Sequence, residues 1–153
     1  GKTILFSTAG ILVYTTGIRD MRQMGGLASK MPITAILWIM GAMMLSGLPP
    51  FSTFTAEWIM FTGIFQAGLQ GSSTALIVAI LAVSAVALTI AYTFWSVKRI
   101  FFGPLNPNLP NDNTRDPPAL MWIPLILLAV VSIILGLYPK PMMDLFSLVT
   151  GGI

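Results

Sequence analysis

The chain has 153 residues, of which 56% are hydrophobic and 8% are charged, and its mean hydropathy is +0.86. A soluble domain carries about 25% charged residues, so the composition excludes an ordinary soluble fold and predicts a protein embedded in the lipid bilayer. Cysteine and histidine are absent, which excludes disulfides, thiolate metal sites and histidine-based catalysis. The net charge of +3 is dispersed over short segments, so we expect no nucleic acid partner.

Residues 2–18 form the first apolar segment, in which Lys2 is the one charged residue. A complete membrane span needs about 20 residues, so we expect this helix to continue upstream and the chain to be a fragment of a longer protein. Residues 19–30 form a polar loop with three basic residues and one acidic residue. The positive-inside rule assigns such a loop to the cytoplasm.

Residues 31–69 are apolar on both sides of the pair Pro49-Pro50. This pair must interrupt a helix, because Pro50 donates no hydrogen bond and disfavours helical backbone at Pro49. The segment could be two short spans or one span built from two half-helices. A single crossing returns Lys98 and Arg99 to the cytoplasmic side, whereas a double crossing places them outside, against the positive-inside rule. We therefore predict one span that is broken at Pro49-Pro50.

Two further spans are predicted at residues 74–102, which end in cations and aromatic side chains typical of a membrane interface, and at residues 118–139. A loop rich in Pro and Asn separates them at residues 103–117. Alternating strands are not evident in the sequence, which disfavours a barrel. The predicted fold class is therefore all-α, a polytopic bundle of transmembrane helices in a single domain, residues 1–153, with a discontinuous helix.

Glu57 is the strongest candidate for chemistry, because it is the one Glu in the chain and follows the Pro-Pro pair by seven residues. A charge at the bilayer centre costs at least about 2.5–3.5 kcal/mol, so an acid placed there is by default a functional hypothesis, here a proton relay. The alternative is an acid at the end of a short helix that reaches the lipid headgroups. The other acids fall in loops or in the tail: Asp20, Asp112, Asp116 and Asp144.

Lys2 is the second candidate for the relay, because an amine inside the membrane can also gain and lose a proton. The alternative interpretation of Lys2 is a lysine at the membrane interface whose side chain extends to the lipid headgroups. Three hydroxyl groups follow the break, those of Ser52, Thr53 and Thr55. They could hold water or form hydrogen bonds with the backbone groups that Pro49 and Pro50 leave without partners. Alternatively, they could simply pack helices together. The sequence contains no nucleotide-binding loop, metal cluster or nucleophile–base pair.

Several motifs carry a resemblance to a known family. The stretch Thr-Gly-Ile-Arg-Asp-Met-Arg-Gln-Met-Gly-Gly-Leu at 16–27 resembles a loop of the antiporter-like membrane subunits of complex I and related complexes. Gly-Leu-Pro-Pro at 47–50, followed by Glu57, is similar to the broken helix near the end of those subunits. Residues 99–103 and 135–139 match their later helices. The resemblance spans nearly all of the chain and covers the C-terminal third of such a subunit.

The resemblance implies roles for individual residues. Glu57 is characteristic of the chain M (subunit 4) type, whereas its paralogues usually have Lys there. The Ala-Glu-Trp context is most similar to archaeal versions, such as a subunit of a deazaflavin-dependent dehydrogenase. Lys2 occupies the Lys position of a His-x-x-x-Lys motif whose His would precede Gly1, although many chain M members lack this Lys.

The resemblance further implies a proton-translocating, non-redox subunit of an NADH- or deazaflavin-quinone oxidoreductase in the cytoplasmic membrane of a prokaryote. No cofactor is expected in this chain; quinone, flavin and iron–sulfur clusters are expected in partner subunits, and the partners include other membrane subunits. Two alternatives remain open. One is a subunit of a multi-subunit sodium/proton antiporter, where the position of Glu57 is more often Lys. The other is a structural membrane subunit that conducts no ion.

Overall fold

The computed structural model describes residues 1–105 and 114–149, apart from the side chains of Met142 and of residues 146–149. Every regular element in these residues is helical, so the predicted all-α class is confirmed. The middle of the predicted loop 103–117, including Asp112, lies outside the described residues. The α-helices are α1 (Lys2–Thr16), α2 (Pro32–Leu45), α3 (Ser52–Leu69), α4 (Ser73–Phe101), α5 (Ala119–Leu137) and α6 (Lys140–Val149), and two 3₁₀ turns cover Met21–Gln23 and Leu27–Ser29.

Among the described helices, α4 with 29 residues and α5 with 19 residues are long and apolar enough to cross a membrane. At 1.5 Å per residue they measure about 43 and 28 Å, against a hydrocarbon core of about 30 Å. Helix α4 must therefore tilt or extend beyond the core. Helix α2 is strongly apolar, but its 14 residues are too few to cross alone.

The half-helices α2 and α3 follow one another along α4. In α2, Trp38 Nε1 donates to Ser96 Oγ at 3.2 Å and Ser46 Oγ hydrogen-bonds to Thr93 Oγ1 at 2.8 Å, so α2 runs antiparallel to the C-terminal part of α4. Helix α3 packs on the remainder of α4, to which it is joined by the turn at residues 70–72. The interruption between α2 and α3 contains the Pro-Pro pair, and the single membrane crossing of 31–69 remains a prediction.

Helix α5 is connected to the start of α2 by a carboxylate. Asp116 accepts hydrogen bonds from the backbone N–H groups of Ile33 and Thr34 at 3.0 and 2.9 Å, and from Thr34 Oγ1 at 2.8 Å. The first N–H groups of a helix have no partner within the helix, and Met31 at the N-cap has no side-chain oxygen to offer them. Asp116 thus caps α2 from a distant part of the sequence.

The core lies where α1, α2 and the C-terminal end of α4 meet the loop between α1 and α2. The rings of Trp38 and Phe101 are 5.8 Å apart within it. By contrast, none of the residues of α3 is fully buried. The largest fully buried apolar side chains of the described residues are Ile4, Leu12, Leu27, Met31, Leu37, Ile100 and Phe101.

Two segments have more structure than the sequence predicts. The loop 19–30 contains the two 3₁₀ turns, and Asp20 stabilises the first by accepting a hydrogen bond from Arg22 N at 2.9 Å. Residues 142–149, which follow the last predicted span, lie in helix α6. Pro141 is tolerated there because the first turn of a helix does not require its N–H.

Most of the positive charge lies at one end of the bundle. At this end α1 and α4 terminate while α2 and α5 begin, and the loop after α1 contacts Pro104 and Leu105 through Gly25 and Gly26. The cytoplasmic position that the positive-inside rule predicts for this end remains a prediction. It carries six of the eight basic residues: Arg19, Arg22, Lys30, Lys98, Arg99 and Arg115.

The capping role of Asp116 can be tested with Asp116→Ala. Loss of a helix cap costs about 0.5–2 kcal/mol, so we expect the full-length protein in mixed micelles to unfold at a lower SDS fraction. Asp20→Ala is the matched control, because Asp20 accepts from a neighbouring residue in an exposed turn, and surface changes stay within about 0.5 kcal/mol. Equal effects of the two substitutions would contradict a long-range cap.

Candidate functional site

The break between α2 and α3 begins with a regular helix ending. Gly47 has φ +59°, a left-handed conformation that glycine adopts without strain. Its N–H donates to Met44 O at 3.4 Å, while Leu48 N donates to Met43 O at 2.9 Å. This pair of hydrogen bonds is the Schellman arrangement, in which glycine closes a helix and proline often follows. Buried Phe51 then leads into α3.

Glu57 lies in the second turn of α3 and packs against the unwound backbone. A Cβ atom built on Gly47 would overlap both carboxylate oxygens of Glu57, so the acid occupies the space that the missing side chain leaves. The side chain is half-buried. Within residues 1–105 and 114–149, no group forms a hydrogen bond or an ion pair with the carboxylate. The carboxyl group therefore lies beside the break without a partner from this part of the chain.

Thr53 lies one helical turn before Glu57 on the same face of α3. Its Oγ1 is buried and has no hydrogen-bond partner among the described residues. An unsatisfied buried hydroxyl costs about 1–3 kcal/mol, and ordered water commonly satisfies such groups. The water-holding role of Thr53 near Glu57 remains a prediction.

Ser52 and Thr55 have a different role, because they attach α3 to α5. Ser52 Oγ hydrogen-bonds to Ser132 Oγ at 2.9 Å, and Thr55 Oγ1 donates to the carbonyl oxygen of Gly136 at 3.0 Å. Of the two interpretations left open by the sequence, helix packing is the one that these contacts support. The exposed pair Pro49-Pro50 directly precedes this attachment.

Gly136 allows the backbone of α5 to touch the backbone of the break. A Cβ atom on Gly136 would lie 2.6 Å from Phe51 C and 2.8 Å from Ser52 N, and closer still to the carbonyl oxygen of Pro50. Small residues permit this kind of approach between transmembrane helices. Sequence reasoning missed the contact, although the spacing of Ala129, Ser132 and Gly136 by three and four residues was an available signal.

Lys2 begins α1 at the level of the break. A Cβ on its neighbour Gly1 would lie 3.1 Å from Met44 Cβ and 3.2 Å from Leu45 N, at the end of α2. The side chain of Lys2 is exposed, and no ion pair between Lys2 and Glu57 occurs in the described residues. The fold thus brings Lys2 to the same depth as the unwound turn without joining the two charges.

A buried hydroxyl pair next to the break was also missed by sequence reasoning. Ser46, which precedes Gly47, is fully buried and bonds to Thr93, whose Oγ1 donates to Thr89 O at 2.7 Å. A polar group is therefore present on the α4 side of the break as well. No cluster of three or more acidic side chains that could hold a metal ion occurs in the described part of the chain.

The fit between Gly47 and Glu57 predicts that Gly47→Ala is destabilising. A left-handed backbone costs a residue with a Cβ roughly 1–2 kcal/mol, and the new methyl group would overlap the carboxylate. We expect less full-length protein to remain folded after heating in detergent, and Glu57→Ala added to Gly47→Ala should recover part of the loss. Gly10→Ala is the control, because its Cβ would meet no atom within 4 Å. Gly47→Ala with unchanged heat resistance would refute this fit.

The chain is similar to known membrane proteins over the region that contains this site. A family model described as "NADH:quinone oxidoreductase/Mrp antiporter, TM" matches residues 2–89, which include the break and Glu57. The chain is 31% identical over 143 residues to a Na(+)/H(+) antiporter subunit of Alkalihalophilus pseudofirmus, covering 91% of this chain and 18% of that protein.

Two other relatives are named as subunits of different complexes. The chain is 29% identical to the F(420)H(2) dehydrogenase subunit M of Methanosarcina mazei, covering 94% of this chain and 27% of that protein. It is 27% identical to the formate hydrogenlyase subunit 3 of Escherichia coli, covering 95% of this chain and 24% of that protein. The chain thus spans 18% to 27% of the lengths of these three relatives.

The family match covers more than half of the chain, and the chain has the long apolar helices of a membrane protein. The antiporter-like resemblance predicted from the sequence is confirmed. This integral membrane protein belongs to the family of transmembrane subunits that NADH:quinone oxidoreductases share with Mrp antiporters.

Proposed function

We propose that the chain is the C-terminal part of a proton-translocating subunit in which Glu57 takes up and releases protons at the broken helix. The observation that carries this proposal is the carboxylate of Glu57 packed on Gly47, beside unwound backbone and between two apolar half-helices. Backbone that is not helical is tolerated at membrane depth where it is buried in protein or lines a water-filled cavity. An ionisable group at such a place is suited to exchange protons with water.

We propose that the protonation of Glu57 is coupled to the movement of a nearby positive charge. A cation near a carboxyl group favours its charged form. A cation that approaches or withdraws would therefore drive release or uptake of a proton. Lys2, at the level of the break, is the residue of this chain that we propose as a second relay group.

Hydroxyl groups beside the break would complete the path to water. The buried Thr53 Oγ1 lacks a partner among the described residues, so a water molecule bound there would lie one turn from Glu57. On the α4 side, Ser46 and Thr93 place a second pair of hydroxyls next to Gly47. These groups can bind and orient water, and the relay itself is assigned to Glu57.

We further propose that partner subunits supply the driving energy by electron transfer, as in a complex I-type oxidoreductase of a prokaryotic cytoplasmic membrane. The names of the dehydrogenase and hydrogenlyase relatives support this assignment. Iron–sulfur clusters would belong to those partners, since the 153 residues contain no Cys or His to ligate them. We assign quinone and flavin to the same partners. The presence of Glu at position 57 supports the chain M type.

The second candidate is a subunit of a sodium/proton antiporter. The observation that favours it is the 31% identity to the antiporter protein of Alkalihalophilus pseudofirmus. This alternative keeps Glu57 as the ion-exchanging group but needs no electron transfer. It predicts proton movement in response to an imposed sodium gradient.

Glu57→Gln tests the proposal, because glutamine keeps the shape of the side chain but cannot exchange a proton. In inverted vesicles that carry the complete complex, we expect acidification on addition of electron donor to fall roughly 100-fold or more. Assembly should be unchanged. Acidification is followed with a pH-sensitive dye, and Asp20→Asn, in an exposed loop, is the matched control.

Each outcome of this experiment separates the candidates. Acidification that persists in Glu57→Gln would remove the relay from the mechanism. A proton gradient that requires sodium and no donor would favour the antiporter. Loss of assembled complex, with normal acidification by each complex that remains, would indicate a structural subunit.

A further inference from the structure

We infer that α5 positions Glu57, with Ser132 and Gly136 as the positioning residues. The inference rests on the proposed function of Glu57 and concerns a helix that has no ionisable residue between Ala119 and Leu137. Neither residue contacts the carboxylate in the described structure. They act on the start of α3, to which Glu57 belongs.

The first observation is the backbone contact at Gly136. Ordinary Cβ contacts begin at about 3.4 Å, and a Cβ here would lie at 2.6 Å from Phe51 C and at 2.8 Å from Ser52 N. The obstructing atoms belong to backbone rather than to a flexible side chain. Alanine at this position would therefore force the backbone of the break away from α5.

The second observation is a pair of hydrogen bonds on the same surface. Ser52 and Thr55 are the first and fourth residues of α3, and they bond to Ser132 and to the carbonyl of Gly136. Both bonds lie within the first turn of α3. The direction in which α3 leaves the break is therefore fixed against α5.

The third observation is that α3 is only shallowly packed in the described structure. The helix has no fully buried residue, and its Gly68 packs on Leu76 of α4 at the opposite end. Glu57 is two residues beyond Thr55, so a movement of the first turn is transmitted directly to the carboxylate. Gly47, on which the carboxylate packs, lies at the end of α2.

The segment that leads into α5 also holds the start of α2. Asp116 caps α2 at its N-terminus, while Ser132 and Gly136 hold the N-terminus of α3. The segment that leads into α5 and the helix itself thus set where both half-helices begin. We infer that the contact between Gly47 and Glu57 depends on this common support.

The experiment compares Gly136→Ala with Glu57→Gln and with the double variant, in full-length protein within its complex. A misplacement of about 1 Å can cost up to about 100-fold in rate, so we expect Gly136→Ala to lower proton transport per turnover roughly 10- to 100-fold. Its pH profile should also be displaced. Ser132→Ala removes one hydrogen bond and should give a smaller loss in the same direction. Gly63→Ala, in the same helix as Glu57 with no atom within 4 Å of its Cβ, should match wild type.

The double variant separates positioning from mere packing. If Gly136 acts through Glu57, adding Gly136→Ala to Glu57→Gln causes no further loss of transport. The inference would be overturned if Gly136→Ala lowered transport by the same factor in the Glu57→Gln background as in wild type. It would also be overturned if Gly136→Ala lowered heat stability but left the pH profile of transport unchanged. If the complex with Gly136→Ala does not assemble, the same comparisons of transport and pH profile are made with Ser132→Ala and Thr55→Val.

The two proposals can fail separately. If Glu57→Gln transports normally, the proposed function of Glu57 fails and the positioning role fails with it. If Glu57→Gln is inactive while both Gly136→Ala and Ser132→Ala transport with a normal pH profile, the relay stands and the positioning role is wrong.

Discussion

The structure depends on close approach at the break between α2 and α3, which two glycines make possible. Gly47 gives the left-handed turn that ends α2 and leaves space for the Glu57 carboxylate. Gly136 lets the backbone of α5 lie against Pro50 and Ser52. A side chain at either position would displace Glu57. The acid can lie beside the unwound backbone because both positions are glycine.

The polar groups around this break divide into two kinds. Hydroxyls with partners bind helices together: Ser46 bonds to Thr93 in α4, and Ser52 bonds to Ser132 in α5. The carboxylate of Glu57 and the hydroxyl of Thr53 have no such partner in the described residues. In an apolar environment unpaired groups are costly, and we propose that the two on this face of α3 serve ion exchange.

The sequence was sufficient to predict those features of the structure that depend on residues close to one another in the chain. The all-helical class, the interruption at Pro49-Pro50 and the isolation of Glu57 follow from periodicity, proline geometry and composition. The contacts of Asp116 and Gly136 did not follow, because their partners lie more than 80 residues away. In the sequence their neighbourhoods resemble an ordinary loop and an ordinary apolar helix, and only the fold identifies their partners.

The most direct test of the central claim is to observe the protonation of Glu57 itself. Infrared difference spectra of the full-length complex, recorded between rest and turnover, should contain a carboxyl band that disappears in Glu57→Gln. The account predicts that this band grows and decays with each cycle of transport. A spectrum that is the same in wild type and Glu57→Gln, during turnover that moves protons, would contradict it.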